Sequence, residues 1–267
     1  MSEQRRHYTT NIQKGGALIT ECRNLLLEWS ATQSMDQFIE RVTEENLLGK
    51  LSRRRVRDIV NRIFRRRFDS GKTPGAEPAR ALLESGAPPE VTDRVLYYHA
   101  SLADDLLYDF VVEFLNPKHT ERGYGVTIGD AESFVATLER GGHLVRQWTP
   151  TIRTKVARGL LAACRDFRLL EGRIVKKFAP VSMPMEVFVY VAYYLKEKVG
   201  SAARILEHSD WQLFFLDHRV VEQMFLRAHQ EGWVMYHVAG GVVRVDWCYA
   251  NLMEAVNAIA QRAHSIA

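Results

Sequence analysis

Cysteine is scarce: Cys22, Cys164 and Cys248 are the only three among 267 residues. Odd in number and far apart, they offer no disulfide framework and no CxxC zinc ribbon, so a reducing compartment, the cytoplasm, is the expected location. Long apolar runs are missing as well. The longest, Pro184 to Leu195, is interrupted by Glu186 and reaches about 12 residues where a bilayer span needs roughly 20, so no membrane partner is expected. The opening MSEQRRHYTTNIQ lacks the apolar core of a secretory signal, and nothing in it predicts export.

Catalytic signatures are equally thin. The nine histidines form no HExxH and no Cys/His group of zinc spacing, and no GxSxG elbow occurs. Gly71-Lys72-Thr73 looks like the end of a Walker A loop. The glycine needed five positions earlier is Arg66, however, and Pro74 would sit inside the following helix. Asp104 and Asp105 are adjacent on a helical pattern and point to different faces, which makes them poor acid-base partners. The expectation is a protein that is not an enzyme, with no catalytic residues, no cofactor, no metal and no small-molecule substrate.

What is present is an ordinary globular composition, 46% apolar and 25% charged, of a length that suggests roughly two domains at about 150 residues each. The net charge is only +4, yet the charges are unevenly placed. Residues 53–67, RRRVRDIVNRIFRRR, hold eight arginines against Asp58 alone. Residues 146–177 hold nine lysines and arginines against Asp166 and Glu171. Each segment carries +7 and the remainder of the chain is therefore −10, the electrostatic form of a polyanion binder.

Helices dominate the first half. Residues 15–31 place Leu18, Cys22, Leu25, Leu26 and Trp29 at helical spacing, and Ser34 with Gln37 forms a capping box ahead of Phe38, Ile39 and Val42. A third helix is predicted from Ser52 as N-cap, burying Val56, Ile59, Val60, Ile63 and Phe64 and ending before a loop at 69–78. A short helix over 79–86 precedes a long helical region over 88–115 with a break near Ser101. The aromatics of that region, Tyr97, Tyr98, Tyr108, Phe110 and Phe114, are assigned to the core, because base stacking needs rings interleaved with basic residues and this region is acidic. Pro117 and three glycines mark 117–129 as a linker.

The second half has a different grammar. Asp130 is read as the cap of a helix through Glu139 that ends at Gly141-Gly142, and a short connection HLVRQW leads to Thr149-Pro150, the start of a helix through Leu170 that stops at Gly172. RIVKKFAP follows as a strand or wing. After helices over 184–199 and 201–207, Asp217 caps another helix ended by Gly232, and a hairpin turns at Ala239-Gly240-Gly241. Helix, glycine and β-segment thus occur twice, the mark of two winged-helix-like units.

On a helical wheel at about 100° per residue, the apolar side chains of 53–67 span about 140°, and Arg54, Arg55, Arg62, Arg65 and Arg66 fall within about 120° opposite them. Arginine's planar fork suits phosphate, and a solvated or protein-docking face stands beside that reading. The helix after Thr149 turns Ile152, Val156, Leu160, Ala163 and Phe167 inward and Thr151, Lys155, Arg158, Ala162 and Arg165 outward, as a groove-reading helix does, with Arg173, Lys176 and Lys177 placed on a wing to reach phosphates. Docking of a protein is the alternative for this unit too.

These residues resemble a known family. YTTNIQKGGALITECRNLLLEW followed by FIERVTEENLLGKLSRRRVRDIVNRIFRRRF is similar to the N-terminal signature of BrxA, a small component of BREX bacteriophage-exclusion systems, and Trp148-Thr149, Ser209-Asp210-Trp211 and Asp246-Trp247 extend the likeness over nearly the whole chain. The resemblance implies a mainly α protein: an N-terminal helical bundle over 1–116, similar to the antitermination factor NusB, then winged-helix-like units with short β-hairpins over 130–267. It implies double-stranded DNA and other BREX proteins as partners, and a non-enzymatic DNA-binding accessory role. Open beside that role are a protein-docking scaffold of the same complex and an RNA-binding antitermination-like factor.

Overall fold

Caps written in the sequence organise the structure, a computed structural model that describes residues 6–121, 125–140 and 147–266. The chain is mainly α, with two short antiparallel hairpins. A one-turn helix α1 (Ile12–Gly15) precedes α2 (Ile19–Glu28), so the helix expected over 15–31 begins four residues late. The reason lies in the backbone: Gly16 at φ 51° and Leu18 at φ 46° turn the chain through the left-handed region. α3 (Met35–Glu44) carries the capping box as predicted, Ser34 accepting from the Gln37 N–H and the Gln37 side chain accepting from the Ser34 N–H.

The arginine-rich helix starts at Arg53 without a side-chain bond from Ser52 and is not uniform. α4 (Arg53–Ile59) widens into a π turn over Val60–Phe64 and continues as α5 (Arg65–Phe68). An extra residue in that turn delays the side chains beyond it by about 100°, which brings Phe68 into the core beside Phe64, ring centroids 4.8 Å apart. α6 (Ala76–Glu84) leads to α7 (Pro89–Ala103). The break comes at Asp104, which caps α8 (Asp105–Asp109) by accepting from Leu106 and Leu107 N–H, and not at Ser101. A second π turn, Phe110–Leu115, joins α8 to α9 (Asn116–Thr120). Pro117 therefore does not stop the helix, because directly after a π turn its missing N–H costs no regular i→i−4 bond.

Residues 122–124 of the predicted linker, and Gly141-Gly142 with most of the HLVRQW connection, lie outside the described residues. In α10 (Ile128–Arg140) Asp130 is not the N-cap. Thr127 is, with Asp130 reaching back to the Thr127 N–H at 2.8 Å while its own N–H donates to Thr127 Oγ1. α11 (Pro150–Asp166) has Thr149 as cap and Pro150 first, as read. It ends short of Leu170 because Arg168, at φ 57°, closes it. β1 (Leu170–Glu171) and β2 (Lys177–Phe178) form the first hairpin, and Val126 is bridged to Lys176 at its side. α12 (Met185–Val199), α13 (Ala202–Leu206), a 3-10 turn Ser209–Phe214, and α14 (His218–Gln230), capped by Asp217, lead to the second hairpin. In it β3 (Val234–Ala239) and β4 (Val242–Trp247) pair around Gly240-Gly241, both at positive φ as a two-residue turn requires. α15 (Leu252–Ile266) closes the chain.

One continuous core joins the two halves. α1 packs on α11, α6 on α15, and α7 on α12. Tyr97, Tyr98, Tyr108 and Phe110 are buried, as assigned. Tyr98 and Tyr108 donate to the buried carboxylate of Asp210 at 2.5 and 2.8 Å, tying α7 and α8 to the 3-10 turn.

Candidate nucleic-acid interface

The two basic segments meet on either side of α1. On α11, Gly159 has no side chain because Ile12 and Gln13 of α1 lie on it: a Cβ there would stand 2.9 Å from Ile12 O. On the other side, the Arg55 guanidinium donates to Lys14 O at 2.6 Å, satisfying a carbonyl at the end of α1. Arg62 and Arg66 line a cavity of about 20 Å³ against Asn11, Ile12 and Gly16. Positive segments remote in sequence are thus separated by a single helix.

This placement sorts the five arginines of the predicted face. Arg54 is exposed and forms no ion pair among the described residues. Arg55 is half-buried on α1. Arg62 pairs with Asp58 at 3.2 Å. Arg65 reaches Asp36 of α3 at 2.8 Å and Asp69 at 3.9 Å, an acid from outside the segment that the sequence could not place. Arg66 sits near the half-buried Asp104, whose carboxyl is pushed up by desolvation and drawn back by that charge. The uniform arginine face is therefore broken up, and the exposed cations at its start are Arg53, Arg54 and Arg57, the first and last outside the predicted set. Arg67 is buried, 5% exposed, donating to Ala17 O, Gly16 O and Cys22 Sγ.

α11 and the first hairpin keep four cations in the open, while Arg153 of α11 pairs with Glu139 at 3.2 Å. Lys155, Arg158, Arg173 and Lys177 are all exposed and form no ion pair among the described residues. Arg158, Arg165 and Arg173 converge on a groove of about 310 Å³ between α11 and the hairpin, floored by Ile128, Leu161 and Ala162. Arg165 is shared with its neighbour Asp166 at 2.7 Å. The wing assignment fails for Lys176. It is 6% exposed, its Nζ donating to Gly172 O and Arg173 O at 3.0 and 3.2 Å, so it is a brace within the hairpin and not a phosphate contact. Burial, with Arg165 near, lowers its pKa. The period-2 pairing of Lys176 with Val126, across an unpredicted bridge, is what turns it inward.

Asp105 and Asp109 hold the N-terminal segment through Arg6, the His7 N–H and the Tyr8 hydroxyl, the last at 2.6 Å. A cavity of about 570 Å³ between α9, the 3-10 turn and the start of α14 has histidines and acids but no lysine or arginine in its wall, so the converging cations lie elsewhere. Among the described residues no group of His, Cys, Asp or Glu is arranged to hold a metal, and no helix is long and apolar enough to cross a membrane.

Comparison with known proteins gives one match. The family model described as BrxA covers residues 6–193, which takes in α1, the arginine-rich helix, α11 and the first hairpin. No curated protein and no solved structure matches the chain.

Proposed function

The chain belongs to the BrxA family, and from that premise we propose that it is a non-enzymatic accessory protein of a BREX phage-defence complex that binds double-stranded DNA. The observation that carries the reading is the set of exposed cations without ion-pair partners among the described residues, Lys155 and Arg158 on α11 and Arg173 and Lys177 on the hairpin, with Arg158 and Arg173 lining one groove between the two. A helix pair, α10 and α11, followed by a two-stranded hairpin is the arrangement of a winged helix, with α11 in the major groove and the hairpin beside it. Arg53, Arg54 and Arg57, exposed on the first turns of α4, add phosphate contacts from the arginine-rich segment. Phosphate contacts of this kind supply affinity and register, and Lys155 and Arg158 supply any reading of base edges.

The test is a salt series with purified protein and fluorescent duplex. Log K is expected to fall with log salt by about 0.9 per phosphate neutralised, and a slope near zero sinks the proposal. Competition by structured RNA at equal affinity would favour the antitermination-like alternative. A second reading, a scaffold for other BREX proteins, is favoured by the second hairpin, where Met235, Val238 and Val242 are exposed, and by the exposed Leu226 of α14.

A further inference from the structure

The tip of the first hairpin is built to be rigid and is apolar at its end. Ile174 is 89% exposed and Val175 follows it into solvent. Solvated loops with large aliphatic tips lower their cost by folding back, and this one is prevented from doing so. Gly172 stands at φ +98°, where a Cβ would lie 2.7 Å from Val175 O, so the turn is closed on itself. The buried Lys176 clamps the carbonyls of Gly172 and Arg173 from beneath. Val126 fixes Lys176 by a reciprocal pair of backbone bonds, 2.9 and 2.7 Å, and Gly125 allows that approach because a Cβ would meet Lys176 O at 2.8 Å.

The charge around the tip selects its cover. Arg173 adjoins Ile174, Arg158 and Arg165 face it across the groove, and Lys177 follows. The acids on the same elements are Glu171 and Asp166, and Asp166 is engaged by Arg165. A rigid aliphatic end ringed by cations fits a polyanion that offers an apolar slot, which is a base step seen from the minor groove. Resting on the DNA-binding reading above, we propose that Ile174 is a minor-groove wedge that bends the duplex held by α11.

A duplex of about three helical turns, labelled at both ends for energy transfer, tests this with the full chain at low salt. The unaltered protein is expected to bend it by an angle in the range of about 20–90°. Ile174→Ala should bind about tenfold more weakly, leave the duplex straight and keep the salt slope, while Ile174→Leu should restore the bend. Because residue 174 is exposed, both variants fold. Duplex that is bound without a bend, or bent equally by Ile174→Ala, overturns the wedge and leaves DNA binding standing. Unchanged DNA behaviour with lost co-purification of other BREX proteins would assign the tip to protein docking and overturn it too. Absence of any duplex binding by the unaltered chain instead removes the DNA reading itself.

Discussion

Arg67 and His99 show how much of the fold rests on single buried polar side chains. His99 is fully buried, its Nδ1 against Arg67 O at 3.0 Å and its Nε2 against the Tyr190 hydroxyl at 2.7 Å. A carbonyl only accepts, so Nδ1 carries the proton and Nε2 accepts from Tyr190. Burial lowers its pKa from 6.5 to about 4. Because the folded value lies below the unfolded one, the unfolded chain binds the extra proton first. Stability from this group is whole above pH 6.5 and is lost as pH falls toward 4, by about 3 kcal/mol. Urea midpoints measured between pH 7 and 4 should fall, and less steeply in His99→Gln. Arg67→Ala should cost about 3 kcal/mol at pH 7, since it strands the Gly16 and Ala17 carbonyls in the core. Arg54→Ala, on the same helix but exposed, should change thermal stability by no more than about 0.5 kcal/mol.

Between elements, α4 and α11 differ in what their cations are free to do. Alanine at Arg53, Arg54 and Arg57 should weaken duplex binding for all sequences alike and lower the salt slope by roughly one per lost contact. Alanine at Lys155 and Arg158 should instead change the ranking of DNA sequences in a competition assay, because base edges are read by side chains that reach them. Identical losses for every DNA from both sets would refute the assignment of α11 as the reading helix. Much of the fold was legible beforehand. Caps at Ser34, Thr149 and Asp217, the apolar face of 53–67 and the second hairpin follow from spacing and turn chemistry, and the first hairpin was seen only as a strand or wing after the helix. The fate of Arg55, Arg65 and Lys176 was not legible, because each is decided by a partner remote in sequence: Lys14 O, Asp36 and Val126. The π turns escaped for a related reason. They answer to packing around them and leave no period of their own.

For the molecule as a whole, the core shared by α1 with α11 and by α6 with α15 means that the segment 1–116 leaves apolar faces uncovered when cut away from the remainder. A fragment 1–116 should keep helical circular dichroism yet lose a cooperative melt, while the full chain melts in a single transition. The packing of α15 on α6 also sets a schedule for synthesis. At about 5–20 residues per second, α6 leaves the ribosome roughly 9–36 s before the helix that covers it is complete. During that interval its apolar side is available to any other surface, so the nascent chain is most exposed to misassociation in its first half. A chaperone that holds the early helices until translation ends should raise the yield of folded protein more than one supplied after release.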